Sequence, residues 1–432
     1  MRIWLVTVGE PLPIDGPAER LYRTGILANM LAGAGHDVVW WTSAFDHARK
    51  RQRFSSNGLV TITEKLKIIL LHSIPYYRNI SVRRIINHIL LKRQFEKLAT
   101  DEAKPDIILC SLPTIGLAAA SVEYGQKNGV PVVLDIRDLW PDILVDVVPK
   151  ALETPARLVL GHAFRAIRYA CANATAIVGT SNSFVDWGVN YAGRPRTDRD
   201  QAFPLAYASD KPDAEAIAQA RRFWQDFGLM NDPGQSIICF FGNMSGVLDL
   251  TTVIQAAAIL EGEGTLVKLV LCGSGDREGY YRDLAKKCKA VLLPGRVDKT
   301  QIWALMDIAV AGLVPYQPRE DFCKALPNKA VEYLAGGLPI ISCLHGELAA
   351  LIAENRCGIT YEDGNARQLA TMIKKVHNAK DFTETMAKNS CRLYEQAFSA
   401  EMVYGQLVAH LQEIVHCHKA GDHLGAKGVT YR

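Results

Sequence analysis

The chain has 432 residues, 49% of them hydrophobic, which can fill the cores of two ordinary domains and excludes a disordered protein. Its formal net charge of +4 is small for this length, so the composition predicts no nucleic-acid partner. Ten scattered cysteines without a C-x-x-C pair indicate reduced thiols in a cytosolic protein.

The first elements form a β-α-β pattern. A buried strand is predicted at 3–8, an amphipathic helix at about 19–31 and a second strand at 38–41. The apolar residues before Gly9 are too few for a secretory signal, and no apolar run is long enough to span a bilayer. Any membrane contact is therefore expected to be peripheral.

A basic segment follows between Lys65 and Lys97, with eight Lys or Arg residues and one acidic residue. Within it, apolar residues recur at helical spacing: Val82, Ile85, Ile86, Ile89 and Leu90. An apolar stripe with basic flanks suits a helix on an anionic membrane, although the stripe could instead pack on the sheet of its own domain. The side chains expected to contact the membrane are Arg78, Arg83, Arg84, Lys92 and Arg93.

The run V-V-L-D-I-R-D-L-W-P-D, residues 132–142, ends a predicted strand in several polar residues. Among these, Arg137 and Asp138 stand at the carboxyl end of the strand, where open α/β sheets bind ligands. Further short strands are predicted at 106–110 and 176–180. The alternation of strands and helices indicates a parallel, doubly wound sheet.

A polar, helix-prone stretch at 206–235 separates this series from a second one. Strands of the second series are predicted at 237–241, 267–272, 290–293, 308–314, 339–343 and 357–361. We therefore predict an N-terminal domain at 1–205, a connection at 206–235, a C-terminal domain at 236–395, and a final helix with a polar tail at 396–432. Two such α/β domains are expected to face a central cleft that holds the ligands.

The segment P-N-K-A-V-E-Y-L-A-G-G-L-P-I-I-S, residues 327–342, is the most informative. Pro327 suits the first turn of a helix, whose free amides, with Asn328 and Lys329, would bind a phosphate. Farther along the same helix, Glu332 can accept hydrogen bonds from a pair of ribose hydroxyls. Two glycines then end the helix before the next strand.

On these residues the chain resembles glycosyltransferase family 4, the retaining enzymes of the GT-B fold with two Rossmann-like domains. The resemblance implies that Glu332 holds the ribose of a nucleotide-sugar donor. The glutamate that the family places eight positions earlier, against the transferred sugar, is Lys324 here, which is either a phosphate or acidic-sugar contact or a plain surface lysine. The motifs P-x-K-x-x-E-Y and D-x-R-D-L-W-P are most similar to those of the subgroup that assembles surface polysaccharides.

Other segments match the same family. The loop F-F-G-N-M-S-G supplies Gly242 and Asn243 toward the donor phosphates, and L-C-G-S-G-D supplies the turn with Gly273 and Gly275. The loop at 242–246 lacks the cations usual in the family, so positive charge must come from Lys329, Lys324 or elsewhere. The resemblance further implies that Gly16 lies by the donor phosphate or acceptor, that Arg296 contacts the base, and that Arg137 and Asp138 contact the acceptor and the transferred sugar. Gly16 could also serve turn geometry alone, and Arg296 could be a plain surface arginine.

The sequence therefore predicts a transferase that moves a sugar from a nucleotide diphosphate sugar, with a UDP-sugar as the expected donor, to a lipid-linked saccharide. Retention at the anomeric carbon would follow from the family, with Arg137, Asp138 and Lys329 as the catalytic candidates and no metal or other cofactor. We expect a cytoplasmic protein bound peripherally to the inner face of the cytoplasmic membrane. The alternatives are a nucleotide-sugar 2-epimerase of the same fold and a non-catalytic nucleotide-sugar-binding protein.

Overall fold

A computed structural model of the chain describes all residues except 17, 18, 20, 79, 80, 147, 209, 210, 230, 231, 233 and 422–432. The described residues form two compact units. The first comprises Met1–Pro204 together with the described part of Tyr404–Arg432, and the second comprises Leu205–Val403.

The first unit is built on one large sheet. The strands of the unit are β1 (Arg2–Val6), β2 (Asp37–Ser43), β3 (Phe45–Asp46), β4 (Arg51–Gln52), β5 (Gly58–Thr63), β6 (Leu66–Leu71), β7 (Ile107–Ser111), β8 (Val132–Ile136) and β9 (Ala176–Gly179). Of these, β3 and β4 form a separate antiparallel sheet of two strands. Its helices are α1 (Arg23–Gly33), α2 (Val82–Leu98), α3 (Ile115–Asn128), α4 (Asp142–Asp146), α5 (Glu153–Val159), α6 (Gly161–Asn173) and α7 (Asn182–Ala192), with a 3₁₀ turn at Lys150–Leu152.

In the described residues, the large sheet has the order β5-β6-β2-β1-β7-β8-β9. All neighbouring strands are parallel except the edge hairpin of β5 and β6. The runs of Val, Ile, Leu and Trp in the parallel strands are buried, as expected for a parallel sheet covered on both faces. The strand order reverses between β1 and β7, and the loops that follow these strands are where ligands of such sheets bind.

The second unit repeats this architecture. Its strands are β10 (Ser236–Asn243), β11 (Val267–Ser274), β12 (Val291–Gly295), β13 (Ala311–Val314), β14 (Ile340–Ser342) and β15 (Gly358–Thr360). Its helices are α8 (Ala214–Asp226), α9 (Leu250–Gly262), α10 (Glu278–Ala285), α11 (Lys299–Ile308), α12 (Glu320–Cys323), α13 (Asn328–Ala335), α14 (Glu347–Asn355), α15 (Ala366–Asn378) and α16 (Lys380–Ala397); α17 (Ala400–Lys419) begins here and continues into the first unit.

The parallel sheet of the second unit has the order β12-β11-β10-β13-β14-β15. Numbered within the unit this is 3-2-1-4-5-6, the order of dinucleotide-binding Rossmann folds. Its reversal lies between β10 and β13, so the loops after these two strands flank the expected ligand site. Two hydrophobic clusters, one on each face of the sheet, hold the flanking helices in place.

The predicted strands are confirmed within one to three residues at their ends, and the doubly wound sheets are confirmed as well. The hairpin of β5 and β6 was not predicted, and α1 begins at Arg23 instead of about 19. The division of the chain also differs: the expected connection at 206–235 belongs to the second unit, because α8 packs on α11. Most of α17 belongs to the first unit, and the expected tail at 422–432 lies outside the described residues.

Candidate functional site

Glycines in the last residues of β10 and β11 and in the turns that follow them, here called the glycine turns, lie against each other in the second unit. Gly242 and Gly273 are paired in the sheet register, and a Cβ atom on Gly273 would lie 1.8 Å from the carbonyl oxygen of Gly242. A Cβ atom on Gly275 would lie 2.5 Å from Oδ1 of Asn243. The backbones can approach this closely only because these positions carry no side chain. The structure thus brings together four residues that the sequence assigned to the donor.

Helix α13 carries the predicted lysine and glutamate beside this turn. Pro327 is the N-cap, one residue before the position predicted for it, and Asn328 begins the helix and is exposed. Nζ of Lys329 donates a hydrogen bond to Oε2 of Glu332 at 3.4 Å. A Cβ atom on Gly242 would lie 2.9 Å from Cε of Lys329, so the lysine stem passes directly over the glycine turn.

The carboxylate of Glu332 is an uncommon buried charge. Its side chain is 3% exposed and that of Lys329 is 15% exposed, so this ion pair is largely withdrawn from water. Burial, followed by the charge of Glu332, raises the pKa of Tyr316 to about 12. Buried charges persist where they are paired, and clusters of them in a ligand-binding region are candidates for function.

Arg296 and Lys324 are the other predicted donor contacts of this unit. Arg296 is exposed and follows the end of β12. Lys324 is the C-cap of α12 and forms an ion pair with Glu320, four residues earlier on that helix. Their predicted contacts with the base and with the phosphate or sugar stay predictions.

Arg277 is a cation beside the glycine turn that the sequence argument missed. A Cβ atom on Gly246 would lie 3.8 Å from Nε of Arg277, and the backbone amide of Arg277 donates to the carbonyl of Met244 at 3.0 Å. The loop at 242–246 lacks its own cations, but the next turn, after β11, supplies one. The signal was present in the sequence, directly after the motif L-C-G-S-G-D.

In the first unit, polar side chains converge at the carboxyl ends of β1 and β8. Nε of Arg137 donates to Oδ2 of Asp135 at 2.6 Å, and Nη1 of Arg137 forms an ion pair with Glu10. Nε of Arg23 donates to the same oxygen of Asp135 at 3.0 Å. Glu10 also accepts a hydrogen bond from the hydroxyl of Thr24 at 2.7 Å.

Asp135 holds two arginines at once. Its side chain is fully buried, and burial alone would raise the pKa of this carboxyl, but Arg137 and Arg23 together hold its pKa below the usual value. Nη2 of Arg137 is buried without a hydrogen-bond partner in the described structure. The described residues therefore leave this donor group of Arg137 unsatisfied.

The other first-unit candidates differ in their surroundings. Asp138 is half-buried and accepts a hydrogen bond from the amide of Leu139 at 3.0 Å. A Cβ atom on Gly16 would meet nothing within 4 Å, so packing within the described chain does not require glycine there. The side chain of its neighbour Asp15 is buried and accepts two hydrogen bonds from Arg53.

Helix α2 turns its predicted apolar stripe outward. Val82, Ile85, Ile86 and Ile89 are exposed, at 71%, 58%, 40% and 47% respectively. The buried face carries Asn87, Leu91 and Phe95 instead. The alternative that the stripe packs on the sheet is therefore wrong for these four residues.

The five predicted membrane-contacting cations divide into two groups. Arg78, Arg83 and Arg93 are exposed. Arg84 points inward and stacks on Trp140, with its guanidinium carbon 4.4 Å from the ring centroid. Lys92 is half-buried and forms an ion pair with Glu96. The exposed surface therefore carries three of the five.

Two further observations concern the described residues as a whole. None of their helices is both long and apolar enough to cross a membrane. Among them, no group of three or more His, Cys, Asp or Glu side chains is placed to hold a metal ion, and all ten cysteines are free thiols.

The two halves of the chain match two family models. Residues 24–199 match the model described as Glycosyltransferase Family 4, and residues 225–392 match the model described as Glycosyl transferases group 1. Among curated proteins, the chain is similar to the capsular polysaccharide biosynthesis glycosyltransferase CapM of Staphylococcus aureus. The identity is 24% over 184 residues, which cover 41% of this chain and 46% of CapM. The matched region spans less than half the length of each curated relative that the chain resembles.

Solved structures extend the similarity to nearly the whole chain. Sucrose-phosphate synthase from Thermosynechococcus elongatus has a TM-score of 0.72 at 16% identity, covering 96% of this chain and 99% of that one. Anabaena Alr3699/HepE, solved in complex with UDP-glucose, has a TM-score of 0.65 at 16% identity, covering 96% of this chain and 100% of that one. At such identities the likeness shows a shared fold.

Proposed function

We propose a function from one premise: this chain belongs to glycosyltransferase family 4 and has the GT-B fold, with two Rossmann-like domains. It moves a sugar from a nucleotide diphosphate sugar, with UDP as the expected nucleotide, to a saccharide carried on a lipid. The product contributes to a surface polysaccharide, and the anomeric configuration of the sugar is retained, as in its family. The similarity to CapM supports the polysaccharide part of this proposal.

The pairing of Lys329 with Glu332 beside the glycine turns is the observation that carries the donor proposal. The pair lies on α13, which follows β13 in the chain, and the stem of Lys329 passes over Gly242 in β10. The strand order reverses between β10 and β13, which is where Rossmann-like sheets bind nucleotides. In our proposal Glu332 accepts hydrogen bonds from the ribose, while Lys329 and the first amides of α13 contact the diphosphate. The UDP-glucose complex of Alr3699/HepE, which shares the fold, supports a nucleotide sugar as the ligand.

The chemical work in this proposal is electrostatic. When the bond between sugar and diphosphate breaks, negative charge grows on the departing phosphate oxygens, and preorganised donors lower the energy of that state. Lys329 is the first candidate, and Arg277, beside Gly246, is a second. In the first unit, the guanidinium of Arg137, whose Nη2 has no partner among the described residues, and the carboxylate of Asp138 are proposed to contact the acceptor or the transferred sugar.

Membrane binding forms a separate part of the proposal. Helix α2 offers an exposed apolar stripe, and the exposed Arg83 and Arg93 suit anionic lipid. Leu158 and Val159 at the end of α5 add exposed apolar area in the same unit, at 77% and 84% exposure. Exposed apolar side chains in such number favour an interaction surface, which we assign to the cytoplasmic face of the membrane.

Replacing Glu332 by glutamine is expected to raise the Michaelis constant for the donor by about 10-fold or more, because an uncharged amide accepts weaker hydrogen bonds from the ribose. Glutamine keeps the shape of the buried side chain, so the fold should survive. Steady-state transfer at varied donor concentration measures this, with a melting curve for each variant. Glu354→Gln, at an exposed position of the same unit, is the control. Equal donor constants for wild type and Glu332→Gln would refute the ribose role.

The double substitution Ile85→Ser and Ile89→Ser is expected to lower binding to anionic vesicles by about 10-fold or more, because two apolar side chains no longer enter the interface. Binding should also fall at high salt, since charge attraction contributes. Co-sedimentation with vesicles measures both effects. Leu266→Ser, at an exposed position of the second unit, is the matched control. Equal wild-type binding to neutral and anionic vesicles would contradict the role of the arginines.

Melting curves measured with UDP, GDP, ADP and dTDP test which nucleotide the donor carries, and they need no acceptor. A ligand that binds only the folded state raises its melting temperature. UDP is expected to give the largest rise, and a larger rise with another nucleotide would identify that base instead.

A further inference from the structure

Glu10 lies where the loop after β1 meets the beginning of α1. The residue before it, Gly9, has φ of 91°, a left-handed backbone conformation that glycine adopts readily. Oε2 of Glu10 accepts a hydrogen bond from the backbone amide of Thr24 at 3.0 Å. Because the N-cap residue Tyr22 makes no side-chain cap, this carboxylate binds one of the amides that the helix leaves free.

The second oxygen of Glu10 faces Arg137. Oε1 forms the ion pair with Nη1 of Arg137 and also accepts a hydrogen bond from the hydroxyl of Thr24. Nε of the same guanidinium donates to Asp135. The side chains of Glu10 and Arg137 are 10% and 13% exposed, so the pair is largely withdrawn from water. Two carboxylates therefore hold this guanidinium, and Nη2 is the nitrogen that they leave unsatisfied in the described structure.

The charges of this buried network balance. It contains two carboxylates, Asp135 and Glu10, and two guanidinium groups, Arg23 and Arg137. Burial disfavours the charged form of Arg137, but Asp135 and then Glu10 raise its pKa above the usual value. An anion bound at Arg137 would therefore add an uncompensated negative charge to a buried and neutral set of groups. A hydroxyl group can accept the hydrogen bond of Nη2 without that cost.

We infer that Glu10 makes Arg137 selective for an uncharged saccharide. Its carboxylate holds the guanidinium in place and cancels one positive charge, so Nη2 donates to a sugar hydroxyl in preference to a carboxylate or phosphate oxygen. Glu10 is thus a positioning residue, since it acts on the substrate through Arg137. This inference rests on the proposed function and specifies the substrate class of that site: a neutral sugar, which is either the unit transferred or the end of the acceptor.

Capping of α1 is the simpler role of Glu10, and it predicts a different result. Loss of a cap lowers the stability of the fold and affects neutral and acidic substrates alike. Loss of the Glu10 charge leaves the network with a net positive charge, which favours an acidic sugar over a neutral one. Thr24→Val separates the two roles, because it removes the hydroxyl that binds Glu10 and keeps both members of the ion pair.

The first test measures binding and needs no acceptor. Calorimetry on the full chain compares UDP-glucose with UDP-glucuronate, and UDP-galactose with UDP-galacturonate, which are pairs that differ only at C6 of the sugar. If the transferred sugar lies at Arg137, Glu10→Gln is expected to lower the ratio of neutral to acidic affinity by about 10-fold. Thr24→Val and the exposed Glu123→Gln should leave this ratio unchanged, and a melting curve checks the fold of each variant.

The second test measures transfer to two lipid-linked saccharides, one that ends in glucose and one that ends in glucuronate. If the acceptor lies at Arg137, Glu10→Gln is expected to lower the ratio of neutral to acidic kcat/KM by about 10-fold. In an Arg137→Gln background, Glu10→Gln should change neither ratio further, because its effect passes through Arg137.

The wild-type chain itself should favour the neutral sugar in one of the two tests, and a preference for the acidic sugar in both would overturn the inference. Wild-type ratios in Glu10→Gln for donors and acceptors alike would overturn it as well. An undiminished effect of Glu10→Gln in the Arg137→Gln background would show that Glu10 does not act through Arg137. A wild-type chain that neither binds a nucleotide sugar nor transfers one would overturn the proposed function.

Discussion

Lys329→Ala is expected to lower turnover at saturating donor by about 10² or more, the effect of removing one preorganised donor to a developing negative charge. Nζ of Lys329 lies 3.4 Å from Glu332 and its stem passes over Gly242, so the ammonium stands beside the turn proposed for the phosphates. Because the loop at 242–246 has no cation of its own, this charge should matter more than usual. Steady-state transfer measures the loss.

Lys329→Arg is the informative partner of this variant. It keeps the charge, but a planar fork cannot replace a compact ammonium in so tight a space, so little activity should return. Lys329→Met combined with Glu332→Gln removes both members of the buried pair, and its melting curve separates loss of stability from loss of chemistry. If Lys329→Ala keeps most of its turnover, the phosphate role passes to Arg277, Lys324 or Arg296.

Asp135→Ala is expected to lower the free energy of unfolding by about 3–5 kcal/mol, because it leaves Arg23 and Arg137 as buried cations without their shared carboxylate. Asp135 is fully buried, and the side chain of Arg23 is 1% exposed. Denaturant unfolding measures the change. Asp186→Ala removes an exposed partner of Arg196 and is the control, with an expected effect of about 0–1 kcal/mol. A similar small effect at Asp135 would show that the network is not a buried ion pair in solution.

The same residue gives a signed pH dependence. The pKa of Asp135 in the folded protein is lower than its unfolded value near 3.8, so its stabilising effect is present above that pH. The effect is lost as the pH falls through the lower, folded pKa. The stability difference between wild type and Asp135→Asn should therefore stay constant near neutral pH and shrink in acid.

Sequence patterns predicted the buried parallel strands well, because burial on both faces alone determines their composition. Parallel strands buried on both faces, such as residues 237–241, appear as short apolar runs, and each was found near its predicted position. The edge hairpin of β5 and β6 was missed because β5 alternates between half-buried and exposed residues, and because the apolar run of β6 lies within the basic segment at 65–97, which was interpreted only as a possible membrane contact. The predicted N-terminus of α1 was wrong by about four residues, because no side chain caps that end of the helix.

The candidate site was predictable only in part. The helix with Lys329 and Glu332 follows from local spacing along one segment, and those two side chains do meet. Arg277 was missed although it directly follows the motif L-C-G-S-G-D, because its closeness to Gly246 depends on the pairing of β10 with β11 and not on distance along the chain. Likewise, helical spacing grouped the residues of α2 but could not tell which face the sheet would bury, and it placed Arg84 with the exposed arginines.

Transfer of a sugar from a nucleotide sugar to a lipid-linked saccharide is tested most directly by incubating the purified chain with a panel of radiolabelled UDP-sugars and a saccharide carried on a lipid phosphate. We expect label in the lipid-linked product and an equal amount of released UDP, with both lost in Lys329→Ala. The new linkage should have the same anomeric configuration as the donor sugar. Binding of a UDP-sugar with no transfer to any lipid-linked saccharide, or isomerisation of the donor without an acceptor, would contradict it.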